Sequence, residues 1–217
     1  MAVAAVRAAA ADAAVTFLWV LCVSTLGAST AAVTSYLRIH EGIHYALLVT
    51  VSLLSVLLFA FNLLCDALGG ASFNPTALAA FHAAGLSSPR HSSLFPLALR
   101  FPAQVDLHTG AAAELVLTFV ITLAVLWIIV KGPRNPIVKT WMLSISTVCL
   151  VLTGAAYTGP SMNPANAFGW AYVNNRHNTW EQFYVYWICP FVGAVLAAWV
   201  FRAVFPPPAP KPKAKKA

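Results

Sequence analysis

One short pattern occurs twice in this chain and restricts its fold more than any other feature. The copies are Gly70-Ala-Ser-Phe-Asn74-Pro75-Thr76 and Gly159-Pro-Ser-Met-Asn163-Pro164-Ala165. Each reads Gly-x-Ser-x-Asn-Pro and ends on a small residue. Each follows a long apolar segment and precedes a short helix-compatible run. Proline suits the first turn of a helix, where its missing N–H is no loss. Asparagine is among the best residues at an N-cap. Each copy therefore predicts a short helix whose positive end carries an Asn side chain. Either copy alone reads as an ordinary Asn-Pro turn. Two matched copies read as a repeat.

The surroundings are duplicated too. Asp12-x-x-x-Thr16-Phe17 lies in the first apolar segment and Glu114-x-x-x-Thr118-Phe119 in a later one. Both halves run from acidic-x-x-x-Thr-Phe through a hydrophobic stretch to Gly-x-Ser-x-Asn-Pro. That is internal duplication. Interrupted apolar segments in corresponding places are the mark of an inverted-repeat channel or transporter.

The 217 residues are 60% hydrophobic and only 9% charged. Soluble domains carry roughly a quarter charged residues, so the composition points to a membrane protein. The length suits about five or six crossings of about 20 residues each. A pI near 9.5 invites a nucleic-acid reading, but the charges form no patch with interleaved aromatics. Four of the 13 basic residues crowd into Lys211–Lys216. Cys22, Cys65, Cys149 and Cys189 sit in apolar runs without CxxC spacing, and read as free buried thiols. The histidines at 40, 44, 82, 91, 108 and 177 have no metal-ligand spacing. No metal site, cofactor or nucleophile–base pair is expected, and the chain does not read as an enzyme.

The expected spans are Ala13–Tyr36, His44–Cys65, Thr109–Val130, Val138–Tyr157 and Glu181–Phe205, with half-helices at Asn74–Ala84 and Asn163–Tyr172. The Ala13–Tyr36 run suits an uncleaved span better than a signal core. Leu94–Val105 is apolar but holds only 12 residues. That is about 18 Å of helix against a hydrocarbon core of about 30 Å. Residues 1–205 read as one membrane domain with halves at about 1–105 and 106–205, and 206–217 as a Pro/Lys-rich tail. The basic tail, the Lys131–Lys139 region and Arg90 should face the cytosol. The two half-helices then enter from opposite faces and meet near the midplane. With only five crossings, the second half would invert and both would enter from one face.

The paired Asn-Pro motifs, the duplicated acidic element and the loop pattern resemble the aquaporin (major intrinsic protein) family over nearly the whole chain. Within it, Asn74-Pro75-Thr76, the stretch Tyr157–Tyr172, His177-Asn-Thr-Trp180 and the Lys-rich tail are similar to the plant small basic intrinsic proteins. The resemblance implies an all-α membrane protein. Its fold would be an aquaporin-like inverted repeat with two re-entrant half-helices and a truncated third span. At the Gln104–Val105 junction, roughly thirty residues of the family pattern are missing, against about 20 for a crossing alone. The implied function is a channel for water or other small neutral solutes in the endoplasmic reticulum membrane, assembled as a homotetramer or with related channels. The alternative is a non-conducting shortened isoform that associates with full-length relatives. A secondary transporter is disfavoured by the scarcity of acids in the spans.

In this reading Asn74 and Asn163 offer amide N–H groups to a single file of water, and Pro75, Thr76, Pro164 and Ala165 complete the pore motifs. The positive helix ends disfavour a proton wire and repel cations. Asp12 and Glu114 match family acids that brace the pore loops. By position, the selectivity filter is Leu54 (or a neighbour), Val151, Pro160 and Asn166. Most aquaporins carry an Arg where this chain has Asn166, so the filter lacks a fixed cation. Lys213 and Lys215, third and fifth from the end, resemble a dilysine retention signal on a polyproline-type tail.

Overall fold

A computed structural model of the chain describes residues 2–39, 43–86, 105–173 and 175–206. These residues form helices joined by loops. The first two, α1 (Ala2–Ser24) and α2 (Leu26–Tyr36), are nearly continuous. Then come α3 (Ile43–Ala67), the short α4 (Pro75–Ala83), α5 (Leu107–Val130), α6 (Pro136–Gly154) and the short α7 (Pro164–Val173). The last segment is α8 (Trp180–Phe183), a wide π turn at Tyr184–Ile188 and α9 (Cys189–Val204). Five helical segments among the described residues are long and apolar enough to cross a membrane: Val6–Ser24, His44–Ala67, Leu107–Val130, Pro136–Gly154 and Trp180–Val204. The expected short crossing Leu94–Val105 lies, apart from Val105, outside the described residues.

Several element boundaries differ from expectation for local reasons. The first helix begins at Ala2 rather than Ala13, because the alanine-rich run before Asp12 has the highest helix propensity of any residue type. It breaks at Thr25, whose hydroxyl bonds back to the Cys22 carbonyl at 2.9 Å. The fifth helix starts at Leu107, two residues early, because Asp106 caps the amides of His108 and Thr109. Those bonds, led by Thr109, hold the exposed Asp106 carboxyl below its usual range. The sixth starts at Pro136 under an Asn135 cap and ends at Gly154, three residues short, where the second pore loop begins. The π turn was not expected. It ends just before Pro190, which has no N–H for the Tyr186 carbonyl and whose ring would crowd it; a wider turn relieves both.

Packing follows the logic of lipid as solvent. Large apolar residues such as Phe17, Val56, Trp127 and Trp199 are exposed, while Asp12, Glu114, Thr118, Ser144 and Gln182 are buried. Small residues let backbones approach. A Cβ on Gly193 of α9 would lie 2.3 Å from the Leu115 carbonyl oxygen of α5. Hydroxyls such as Ser55, Thr140 and Ser144 are satisfied by the carbonyl four residues back.

The α5–α9 pair places the two half-helices. Ala80 of α4 and its C-cap Ala84 pack on Leu126, Ala198 and Phe201, at the C-terminal ends of both long helices. Ala167 of α7 packs on Ala111, Val185 and Cys189, at the N-terminal ends. The half-helices therefore dock at opposite ends of the bundle. Lys131 lies over the Phe205 ring, 5.1 Å from its centroid, so the α5–α6 loop and the end of α9 share one face. His108 meets Tyr184 at the other face. Among the described residues, the C-terminal end of α4 thus lies toward the face of Lys131, and the start of α5 toward the opposite face.

Candidate functional site

The site is built from two loops that follow the same plan. In the first, the amides of Gly70 and Ala71 bond the Cys65 carbonyl at the end of α3. In the second, the amides of Tyr157 and Thr158 bond the Gly154 carbonyl at the end of α6. Gly70 (φ 91°) and Gly159 (φ 56°) take left-handed backbone that other residues rarely adopt. Each loop serine then donates to the carbonyl of the following motif Asn: Ser72 to Asn74 at 3.2 Å, Ser161 to Asn163 at 2.6 Å.

Each Asn caps its half-helix. Asn74 Oδ1 accepts from the Thr76 amide at 3.1 Å and the Thr76 hydroxyl at 2.7 Å. Asn163 Oδ1 accepts from the Ala165 amide at 2.9 Å. With the oxygens engaged, both amide nitrogens point away from their own helix. Pro75 and Pro164 stand at the first helical positions and are buried. The loops are tied across the repeat. Asn163 Nδ2 donates to the Phe73 carbonyl at 3.1 Å, and Thr76 Oγ1 lies 3.5 Å from the Met162 carbonyl. The Thr76 hydroxyl has one proton, and its short contact to Asn74 takes it. Met162 is itself in left-handed backbone (φ 49°).

The two repeat acids hold the loops unequally. Glu114 is fully buried in α5. Its Oε1 accepts from the Ser161 amide at 2.8 Å and the Thr158 hydroxyl at 3.0 Å, and its Oε2 from the Met162 amide at 3.0 Å. Asp12 accepts from the Ser72 amide at 2.9 Å, and Thr16 adds a long 3.4 Å bond to the Ser72 carbonyl. The Thr118 hydroxyl, equivalent to that of Thr16, is buried without a partner.

A cavity of about 390 Å³ runs past the junction of the loops. Asn74, Thr76, Asn163 and Asn166 line it. Leu54, Val151 and Pro160, the other expected filter residues, are not among its lining residues. Leu54 is buried in the α1–α3 core. Val151 is exposed on α6. Pro160 is buried, in the space that Gly154 leaves by having no side chain. Sequence reasoning missed Trp19, which lines the cavity with its indole N–H buried and unpartnered. Trp19 stacks on Phe73 at 4.2 Å and meets Phe61 edge-on at 5.1 Å. The signal was present: Trp19 stands seven residues after Asp12, as Ile121 stands seven after Glu114, and both line the cavity. Lys213 and Lys215 lie outside the described residues. Among the described residues, no three His, Cys, Asp or Glu side chains converge as a metal site.

Half-helices meeting cap to cap inside an inverted repeat of apolar spans are the architecture of an aquaporin-type membrane channel protein. A family model described as Major intrinsic protein matches residues 90–201. The chain belongs to that family, in its small basic intrinsic protein subfamily. It is 88% identical over 246 residues to a protein named Aquaporin SIP1-1 from Oryza sativa subsp. japonica, with 100% of each chain covered. It is 73% identical over 242 residues to Aquaporin SIP1-2 from Zea mays, covering 98% of each, and 42% identical over 239 residues to Aquaporin SIP1-1 from Arabidopsis thaliana, covering 97% of each. Among solved structures, the aquaglyceroporin from Plasmodium falciparum shares the fold with a TM-score of 0.59 at 16% identity, over 90% of this chain and 96% of that one.

The rice comparison also measures the truncation. Its 246 positions against the 217 residues of this chain leave 29 without a counterpart here. Identity at 88% of 246 positions amounts to nearly every residue the chain has.

Proposed function

We propose that this chain is a passive channel for water and other small neutral solutes in the endoplasmic reticulum membrane. The observation that carries the reading is the pair Asn74 and Asn163. Each caps a half-helix, the two half-helices come from opposite ends of the bundle, and both Asn side chains line one cavity. A water molecule between them meets amide N–H donors and two positive helix ends. That orients its oxygen toward the amides, interrupts a proton wire and opposes cations. Thr158, Ser161, Met162 and Ser72 are held by Glu114 and Asp12, which supports a bracing role for the acids rather than a proton relay. Leu54, Val151, Pro160 and Asn166 are the proposed filter. With Asn166 in place of an Arg, the filter orients solutes weakly. Assembly as a homotetramer, or with related channels, and retention through Lys213 and Lys215 belong to the same reading.

The test is stopped-flow light scattering on proteoliposomes of the purified chain. Shrinkage clearly faster than that of empty vesicles, with a low activation energy, is expected. A rate equal to empty vesicles would reject conduction. It would favour the second reading, a shortened non-conducting subunit of full-length relatives, for which the 29 absent positions speak.

A further inference from the structure

Phe73, the residue before the first motif Asn, is packed between rings from two other elements. The Trp19 indole of α1 stacks on it, with centroids 4.2 Å apart and planes at 26°. Phe61 of α3 meets Phe73 edge-on at 5.8 Å and Trp19 edge-on at 5.1 Å, which closes a triangle of rings. Trp19 and Phe61 are each 6% exposed and belong to one buried core cluster, against which Phe73 packs. The Trp19 indole N–H is buried without a partner, so ring packing rather than hydrogen bonding holds this side chain. The matching positions of the second half carry no rings. Met162 precedes Asn163 as Phe73 precedes Asn74. Leu150 stands four residues before the loop anchor Gly154 as Phe61 stands four before Cys65, and Ile121 corresponds to Trp19. There Glu114 holds the loop by three bonds, where Asp12 gives the first loop one.

We propose that Trp19 and Phe61 are positioning residues of the pore: their rings fix Phe73, and the Phe73 carbonyl fixes the direction of the Asn163 amide. This rests on the channel reading and deepens it. The chain of contacts is continuous. Asn163 Nδ2 donates to the Phe73 carbonyl at 3.1 Å, and Asn163 Oδ1 accepts from the Ala165 amide at 2.9 Å. The side-chain amide is planar and held at both ends. Its second Nδ2 proton is therefore aimed by the bond that the first one makes, and Asn163 lines the cavity. The peptide that carries the Phe73 carbonyl also carries the Asn74 nitrogen, and it is rigid. A tilt of that peptide would turn one motif Asn directly and the other through its hydrogen bond. Stacked and edge-on rings suit this task, because aromatic pairs prefer particular geometries besides burying apolar area. The two halves thus fix equivalent loops by different means, rings in the first and a buried carboxylate in the second.

The experiment measures water permeability per folded protein in proteoliposomes of the full chain. Phe61 is not among the cavity-lining residues, so Phe61→Leu, which copies Leu150, loosens the clamp without changing the cavity wall. It should slow water about threefold, the equivalent of one aromatic pair. Trp19→Leu should slow it at least as much, and carries the test should Phe61→Leu fold poorly. Trp19→Phe, which keeps a ring on Phe73, should recover most of that loss. In an Asn163→Ala background there is no amide to position, and Phe61→Leu should have no further effect. Val51→Ala takes volume from the same core cluster but removes no ring. It should lower the melting temperature and leave the rate per folded protein unchanged. A rate untouched by both Phe61→Leu and Trp19→Leu overturns the clamp while leaving the channel intact. So does a loss that Val51→Ala matches, or one that persists at full size beside Asn163→Ala. A wild-type chain no faster than empty vesicles overturns the channel reading and this proposal with it.

Discussion

Asn163 Nδ2 reaches the carbonyl of Phe73, 90 residues away, at 3.1 Å. One of the two pore amides therefore fastens the loops to each other, while Asn74 makes no equivalent reach. Asn163→Asp puts a carboxylate oxygen where that donor was, facing the Phe73 carbonyl. It should destabilise the protein by about 1–3 kcal/mol, the cost of an unpaired buried acceptor. Asn74→Asp keeps the oxygen that serves Thr76 and should cost less. Both add negative charge between the helix ends and should raise cation leak. Thermal unfolding in detergent and conductance in planar bilayers check the two parts. Equal stability of the two variants would contradict the cross-loop role.

Glu114 serves three donors and Asp12 one. Glu114→Gln turns one acceptor oxygen into an NH2 that faces an N–H or O–H donor inside a buried site. A loss of about 2–4 kcal/mol is expected, against about 1 kcal/mol for Asp12→Asn. Denaturation midpoints give the comparison. Equal losses would mean that the second loop is held by something other than Glu114.

How much of this was legible beforehand depends on whether a residue's role is local. The Asn caps, the helix starts at Pro75 and Pro164 and the pairing of Asp12 with Glu114 follow from short patterns, and the fold class followed from the repeat. The filter set Leu54, Val151, Pro160 and Asn166 was assigned by position relative to the motifs in the family pattern. Such an assignment gives a helical level and not a direction. The structure puts Leu54 into the α1–α3 core and leaves only Asn166 of the four lining the cavity. Trp19 was missed because an aromatic in an apolar run looks like any lipid-facing or core residue until its unpartnered indole N–H is seen. The π turn depends on Pro190 lying within a helix that tertiary packing keeps intact.

Gly193 and Gly154 test close packing at two distances from the site. A Cβ on Gly193 meets backbone, the Leu115 carbonyl at 2.3 Å and the Phe119 nitrogen at 3.1 Å, so α9 must move off α5. A Cβ on Gly154 meets side chains, Leu117 Cδ1 at 2.5 Å and Pro160 Cγ at 2.6 Å. Each alanine variant should cost about 1–3 kcal/mol. Only Gly154→Ala, by pushing Pro160, is expected to change permeability in the protein that remains folded. Stopped-flow rates normalised to folded protein separate them.

Asp106 gives the start of α5 a pH dependence. Its carboxyl is lowered in the folded chain by the bonds to Thr109 and His108. A lowered folded value means that the cap stabilises the helix above the unfolded carboxyl pKa of about 3.9, and that this is lost as pH falls through the lower folded value. Asp106→Ala should therefore speed amide exchange at His108 and Thr109 near neutral pH. The difference from wild type should fade at strongly acidic pH. A difference that persists there would show that charge and hydrogen bonding at Asp106 are not its source.

Restoring the 29 positions present in the rice relative tests what the truncation costs. In the second half, α9 packs along α5 and on α4, and Gly193 sits against Leu115 and Phe119. The internal repeat assigns the same place on α1 and α7 to a full third span. Phe17 is 69% exposed, while Phe119 is partly buried beneath α9. A helix laid on α1 would cover Phe17 and support the first pore loop, to which Asp12 gives one short side-chain bond where Glu114 gives the second loop three. The restored chain is therefore expected to melt at higher temperature and to conduct water several times faster per folded protein, in line with burial of apolar and backbone surface by an added span. Equal permeability of the two chains would show that the first half holds its loop without a full third span. Equal melting, with Phe17→Ala equally silent in both, would show that no helix occupies that flank in either protein.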